Sequence, residues 1–434
     1  MFSTSVRFVY VRPDILKYSM PRAGGFTSRL SFKFGGTSVT VRGVCCANSI
    51  RSNQRKVLFA SKHVTGKSQY CTMGNDNLNV HQDEARRFMQ DCLVAAGAPA
   101  AAAAQQTAVM LEADRQGHYS HGMNRLAMYV NDILTGACHP NATPTILKQT
   151  PATAWVDGEG ALGATVGDFC MDLAIQKAKT CGVGWVSAKH SNHYGIAGWY
   201  AMRALDQGLI GMSFTNTSPL MAPTRSKQGA LGTNPLAMGA PAENGDRFLL
   251  DMATTAVAVG KIEIQRRKGE PIPEGWAQDP EGRVTTDADI AFESGTLMPL
   301  GGPETTSGYK GFGLGALVEI LCGISAGSLY GHHIRSWSHT GVGGEANLGQ
   351  CFIAVDPDCF APGFQGRMSD MLTHIRGLEP VDPSKPVFIA GDKAAKNCAR
   401  TDKEGTISYV PNQIKSCKEL SEKLKIKDIV YTAQ

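Results

Sequence analysis

Within fifteen positions, residues 112–126, the chain reads EADRQGHYSHGMNRL: two histidines, a serine, two arginines and two carboxylates. An imidazole such as His121 changes protonation near neutrality, which suits reversible proton transfer. Ser120 beside it can join the same relay. Arg125 follows four residues later, about one helical turn, and its planar fork suits a carboxylate. Together they fit removal of a proton from a small acid held by its carboxyl end. The plainer alternative makes Ser120 a helix cap and Arg125 a surface cation.

A second pair, His190 and His193 in HSNH, repeats the spacing of His118 and His121. Both pairs with Asp114 could form a zinc site, and zinc would make the protein a hydrolase. Neither pair has the His-Glu-x-x-His form that supplies a general base, which weighs against that reading. The stretch YGHHIRSWSHTG, 330–341, reads as an exposed loop. GEGALG, 158–163, matches the dinucleotide pattern Gly-x-Gly-x-x-Gly, but where an acid should grip the ribose the chain has KHSN. In a chain with 48 glycines the lone pattern decides little.

These residues need elements to hold them. Ala85, Phe88, Cys92, Leu93 and Ala96 recur at three- and four-residue steps, which predicts an amphipathic helix ending at Gly97. The alanine run predicts a second helix from Pro99 to near Gly117, placing HYSHG at its end. From about residue 155, β-prone runs (GVGWVSA, LIGMSFTN, RFLLDMA, QCFIAVD) alternate with helical stretches such as GDFCMDLAIQKAKTCG. The expected class is α/β with a central sheet.

Composition limits the rest. No apolar run approaches the roughly 18 residues of a membrane span. Residues 1–76 hold twelve Lys/Arg against two acids, a net +10, which leaves 31 basic against 36 acidic side chains in the body. The body thus has no general affinity for nucleic acid. The basic, Ser- and Arg-rich leader reads as a disordered extension or a mitochondrial transit peptide, so the compartment is the cytoplasm or the mitochondrial matrix. Twelve cysteines without a Cys-x-x-Cys pair fit reduced thiols in either.

Five segments in order, DRQGHYSHGMNRL, HSNHYGIAGWYA (190–201), LGTNPLAMGAP (231–241), DMATTAVAVGK (251–261) and LGGPETTSGYKGFGLGALVEIL (300–321), resemble the type-2 malate/L-lactate dehydrogenase family. The resemblance covers roughly residues 78–400. It implies a homodimer that binds NAD or NADP on a family-specific, non-Rossmann α/β sheet, with a helical lobe built from N- and C-terminal segments and no metal. The implied organisation is a leader, 1–76; a helical lobe, 77–150; a cofactor-binding region, 151–400; and a C-terminal segment, 401–434. The implied reaction moves a hydride between nicotinamide and a small 2-hydroxy or 2-keto acid, malate or lactate first. Sulfolactate, ureidoglycolate or a cyclic imino acid is the alternative substrate, and a metallohydrolase or a catalytically silent ligand-binding relative is the alternative class.

For the site, the resemblance implies Ser120, His121 and His193 as catalytic, with the proton assigned to either histidine, and Arg125 and Thr233 as substrate contacts. His193, Tyr194, Gly195, Thr217, Asp251, Met252, Ala253, Lys310, Gly391, Asp392 and Lys393 fall at cofactor positions. Lys261 stands where some relatives place an acid of the proton relay. Arg225 is a candidate for a second substrate carboxylate.

Overall fold

The computed structural model describes residues 77–335 and 344–433 and, in the leader, a hairpin of β1 (Leu30–Phe34) and β2 (Thr37–Val41). The rest of the leader, including Cys45 and Cys46, lies outside the described residues. The hairpin falls in a unit of its own, residues 1–71, and the body forms a second unit from Thr72 onward.

The body begins with β3 (Leu78–His81), α1 (Gln82–Ala95) and α2 (Ala100–Arg115). The α1 periodicity is realised: Ala85, Phe88, Met89, Cys92 and Leu93 are buried, and Asp83 and Glu84 sit in the first turn, where the helix dipole favours acids. Two short 3₁₀ turns, Tyr119–His121 and Met123–Arg125, lead into α3 (Leu126–Leu134). Far along the chain come α10 (Asp392–Glu404), β14 (Thr406–Tyr409), α11 (Pro411–Leu424) and β15 (Thr432–Ala433). β14 and β15 flank β3 antiparallel, so both ends of the body share one small sheet. One core joins Phe88, Leu93, Met110, Leu126 and Tyr129 to Ile407, Tyr409, Ile414 and Leu420. Burying each large member contributes about 1.5–3 kcal/mol.

The large sheet comprises β4 (Thr145–Gln149), β5 (Thr153–Asp157), β6 (Val183–Ser191), β7 (Ile210–Thr215), β8 (Leu236–Pro241), β9 (Arg247–Met252) and β13 (Leu348–Val355), ordered β4-β5-β6-β13-β7-β8-β9. Only β5 and β6 run parallel; the other pairs are antiparallel. β13 lies at the centre and is buried on both faces, which explains its apolar run from Cys351 to Val355. Below it, α4 (Gly163–Cys181) and α5 (Gly198–Leu205) pack with Val156, Met171, Val186, Tyr200 and Phe352. Above it, α8 (Gly308–Glu319) and a π turn, Ile320–Ile324, bring Val318 and Cys322 onto Phe214, Cys351 and Ile353. β4 already belongs to this sheet, although its residues precede position 150.

Between β9 and α8 lie α6 (Val259–Lys268), the two-residue strands β10 (Ala277–Gln278) and β11 (Val284–Thr285), α7 (Ala288–Glu293) and β12 (Thr296–Leu297). They enclose a small core of Val257, Ile262, Ala277 and Leu297. α9 (Phe364–Arg376) follows β13.

Candidate active site

The end of α2 delivers the reactive turn. The His118 N–H donates to the Ala113 carbonyl at 2.7 Å and the Gly117 N–H to the Asp114 carbonyl at 3.0 Å, closing α2 through left-handed Gly117, and the His121 N–H donates to the His118 carbonyl at 2.8 Å in the separate 3₁₀ turn that follows. Ser120 Oγ lies 2.9 Å from His121 Nδ1, and Arg125 Nε donates to the Ser120 carbonyl at 2.7 Å. The three residues thus form one small unit. Gly260, in the first turn of α6, approaches so closely that a Cβ there would stand 3.0 Å from the Ser120 Cβ. That contact puts the neighbourhood of Lys261 beside the serine.

β6 delivers the second histidine. The rings of His121 and His193 stack with centroids 5.7 Å apart and planes 22° apart. Tyr129, buried on α3 one turn beyond Arg125, places its hydroxyl 2.6 Å from His193 Nδ1. The Gly195 N–H donates to the same nitrogen at 3.3 Å. A backbone N–H can only donate, so Nδ1 carries a lone pair, the tyrosine hydroxyl donates too, and the neutral ring holds its proton on Nε2. Tyr129 was not legible as a site residue: an aromatic on the apolar face of a helix reads as core. Its one signal is position, four residues after Arg125 on the same face.

Both imidazoles are held neutral. Burial, reinforced by the positive charge of Arg125, pushes the His121 pKa down to about 3. Burial, with His121 and Arg125 as neighbours, pushes His193 well below its usual range. A neutral, desolvated imidazole next to a guanidinium is a base waiting for an acid that brings its own negative charge. Burial likewise raises the Asp251 carboxyl, which lies within electrostatic reach of His118 and accepts the Gly198 N–H at 2.7 Å at the start of α5.

The other site residues separate into groups. Thr217 and Thr233 meet: the Thr233 N–H donates to Thr217 Oγ1 at 3.0 Å, and Asn234 Oδ1 accepts the Thr217 N–H at 3.2 Å. Beneath them the buried Glu319 carboxylate accepts from Asn216, Asn234 and the Gly331 N–H at 2.7–3.0 Å. Met252 ends β9, with Ala253 next. Lys310 is exposed in the first turn of α8; Gly313, one turn on, has nothing within 4 Å of where a Cβ would stand. A lysine in the first turn of a helix is chemistry that suits a phosphate.

Five expected contacts are committed elsewhere or exposed. The Tyr194 ring lies in the core, stacked on Tyr200 at 4.6 Å with its hydroxyl 3.0 Å from Ser213. Gly391 packs against Leu249 of β9, Asp392 pairs with Arg376 at 2.8 Å, and Lys393 is exposed. Arg225 stands at the surface with its fork on Glu304, a residue of the ETTS segment, at 2.6 and 2.8 Å. Its guanidinium is therefore already neutralised away from the histidines.

The two other sequence motifs are resolved by packing. In GEGALG, a Cβ at Gly158 would stand 2.9 Å from the His190 carbonyl, and one at Gly163 would overlap the backbone of Asn192 and His193. These glycines let the loop lie against HSNH, which accounts for the fingerprint without a phosphate. The four histidines do not gather on one point either. Among the described residues, the group with metal-ligand spacing is Asp157, Glu159 and His190, and Lys189 already pairs with Asp157 at 3.0 Å. The stretch 330–335 is in part the exposed loop expected, with Tyr330, His332 and His333 at the surface, but Gly331 and Ile334 are buried, the Gly331 N–H donates to Glu319, and Arg335 pairs with buried Asp132 of α3 at 2.7 Å. Residues 336–343 lie outside the described residues.

Comparison with known proteins shows the family. The family model for malate/L-lactate dehydrogenase matches residues 80–418. The malate dehydrogenase of Pyrococcus abyssi is 40% identical over 319 residues, covering 73% of this chain and 87% of that protein. The L-sulfolactate dehydrogenase of Methanocaldococcus jannaschii is 37% identical over 349 residues, covering 80% and 97%. The structure of malate dehydrogenase from Pyrococcus horikoshii OT3 superposes with a TM-score of 0.75 at 33% identity, covering 82% of this chain and 98% of that one. The chain belongs to the malate/L-lactate dehydrogenase family and is an NAD- or NADP-using 2-hydroxy acid oxidoreductase.

Proposed function

We propose that the protein interconverts malate or lactate with the corresponding 2-keto acid, using the wall formed by His121, His193, Tyr129 and Arg125. The observation that carries this reading is the stacked pair of neutral imidazoles beside a single guanidinium. Bound nicotinamide supplies the hydride acceptor or donor. His121 takes the hydroxyl proton at Nε2, with Nδ1–H donating to Ser120. His193 presents Nε2–H to the oxygen that becomes the carbonyl, held in that tautomer by Tyr129 and Gly195. Arg125, fixed through Nε, offers its terminal nitrogens to the substrate carboxylate. Thr233 is the further substrate contact. Lys310, in the first turn of α8, would hold the pyrophosphate, with Thr217, Asp251 to Ala253, His193 and Gly195 along the cofactor.

A homodimer belongs to the same reading. Leu314, Leu317, Ile320 and Ile324 form an apolar stripe along α8 and its π turn, each 37–57% exposed. Trp155 and Trp185 lie exposed on the adjoining sheet face, Trp155 donating to the Ala326 carbonyl at 2.8 Å. A stripe of this kind calls for a partner of its own kind. Sedimentation equilibrium should give twice the chain mass, and Leu317→Glu should halve it.

The test of function is a panel of malate, lactate, sulfolactate, ureidoglycolate and a cyclic imino acid, each with NAD and NADP, read by nicotinamide absorbance. Malate or lactate should give the highest kcat/KM. A lead of tenfold or more for another acid moves the assignment to it.

A further inference from the structure

The turn that presents the reactive residues is fastened from behind by a group that touches neither substrate nor cofactor in the proposed reaction. Asp114, in the last turn of α2, is 1% exposed. Its Oδ2 accepts the Met123 N–H at 2.9 Å and the Tyr409 hydroxyl at 2.7 Å. Met123 lies between His121 and Arg125, so this bond fixes the middle of the turn. Among the described residues, Oδ1 has no hydrogen-bond partner and lies against Gly122. A Cβ at Gly122 would overlap the carboxyl group. Glycine is needed there for space, and the space is filled by Asp114.

The second partner brings in the far end of the chain. Tyr409 is the last residue of β14, paired in register with Leu78 of β3, and its ring meets Tyr119 edge-on at 6.2 Å. α10 adds Asn397, whose amide donates to the Gln116 carbonyl at 2.9 Å and against which Gly117 packs. α11 adds Cys417, whose thiol reaches the Met123 sulfur at 3.4 Å. Residues 116–123 are therefore gripped by three elements from the last part of the chain, α10, β14 and α11. A buried carboxyl group with one unmatched oxygen is costly to keep, and a turn could be closed more cheaply by an amide or a hydroxyl.

We propose that Asp114 is a positioning residue for the dehydrogenase reaction, and that through Tyr409 it makes the alignment of Ser120, His121 and Arg125 depend on the C-terminal segment. The inference rests on the reading of Ser120 and His121 as the proton-transfer pair. The carboxyl acts as a fixed acceptor: it sets the path of the turn, hence the distance of the imidazole from the substrate hydroxyl. Displacements of about 1 Å in such a group cost on the order of 100-fold in rate.

The test uses the full chain and measures kcat, KM for substrate and cofactor, and melting temperature. Asp114→Ala should lower kcat about 100-fold and raise substrate KM, with cofactor KM within about twofold. Asp114→Asn keeps an acceptor oxygen for Met123 and Tyr409 and should recover most of that loss. Tyr409→Phe removes one hydroxyl from a ring that stays in place; it should lower kcat by about tenfold, and adding it to Asp114→Ala should cost little more, because the two act as one unit. If Asp114→Ala does not fold, Tyr409→Phe decides alone: unchanged kcat overturns the proposal. So does an Asp114→Asn variant as slow as Asp114→Ala, or a rise in cofactor KM that matches the loss in kcat. His121→Ala is the reference. If it turns over normally, the site reading falls and this inference with it; if it is inactive while the Asp114 and Tyr409 variants are normal, only the inference falls.

Discussion

The HSNH pair is divided between two sites, His193 facing His121 at the wall and His190 at a corner of its own, and the surroundings of the two differ. At the wall, two half-buried imidazoles face each other with Arg125 as the nearby charge, and both are held neutral. At the corner, three residues before His193, His190 sits between carboxylates: its Nδ1 is 3.3 Å from Asp157 and its Nε2 is 2.7 Å from Glu345, which His139 also approaches at 3.4 Å. Lys189 completes this ionic cluster. Histidine spacing says nothing about role; the sign of the neighbouring charge does. A desolvated imidazole beside a cation is prepared for an anionic substrate, whereas one clamped by carboxylates already has its partners.

The largest effect should come from the wall. His121→Ala should cut turnover by on the order of 100-fold or more while leaving cofactor affinity and folding intact. Tyr129→Phe, which frees His193 Nδ1 from one donor, should cost less. If His121→Ala keeps a near-native rate and pH profile while His193→Ala loses both, the proton role passes to His193, and Ser120 with His121 becomes a positioning pair. Arg125→Lys comes next: the charge stays but the planar fork is lost, so substrate KM should rise about tenfold or more with a smaller change in kcat.

How much of this could be read beforehand follows from range. Helices α1 and α2 and strands β6, β7, β9 and β13 declare themselves because periodicity is local. The order of the large sheet does not, since β13 inserts between β6 and β7 from more than a hundred residues away. Ser120, His121 and Arg125 were visible because they share one turn. Tyr129 was not, because its meaning comes from His193, 64 positions along the chain. Asp114 was noticed only as a possible zinc ligand; its partner Tyr409 is 295 residues away. Arg335 looked like part of an exposed loop because nothing local reveals that Asp132 waits for it.

A pH experiment sharpens the contrast at smaller amplitude. The His121 pKa falls from an unfolded value near 6.5 to about 3 in the fold. Between those values the unfolded chain binds the extra proton, so the stability this site contributes is full above about pH 6.5 and is lost as pH falls toward 3. Asp114 has the opposite sign: burial raises its carboxyl from 3.8 to about 7, so its contribution is full below 3.8 and is lost as pH rises through about 7. His121→Gln should therefore gain less than the parent protein in urea stability between about pH 5 and about pH 7, by on the order of 1 kcal/mol. An identical slope in parent and variant would mean that His121 titrates alike folded and unfolded, and the neutral wall would lose its basis.

The smallest effect is expected at the ionic corner, and it tests the comparison from the other side. His190 has a backbone φ of +55°, a left-handed conformation that asparagine tolerates better than most side chains. His190→Asn removes the pairs with Asp157 and Glu345, which are partly exposed and worth up to about 1 kcal/mol each, while easing the backbone. The two changes oppose, so stability should move by less than about 1 kcal/mol. Turnover should stay within about twofold, because the variant leaves His193, Tyr129 and Gly195 in their hydrogen bonds. If turnover instead collapses while the melting temperature holds, the carboxylate-clamped histidine acts on the wall through β6, and the division between a neutral reactive pair and a structural ionic cluster has to be abandoned.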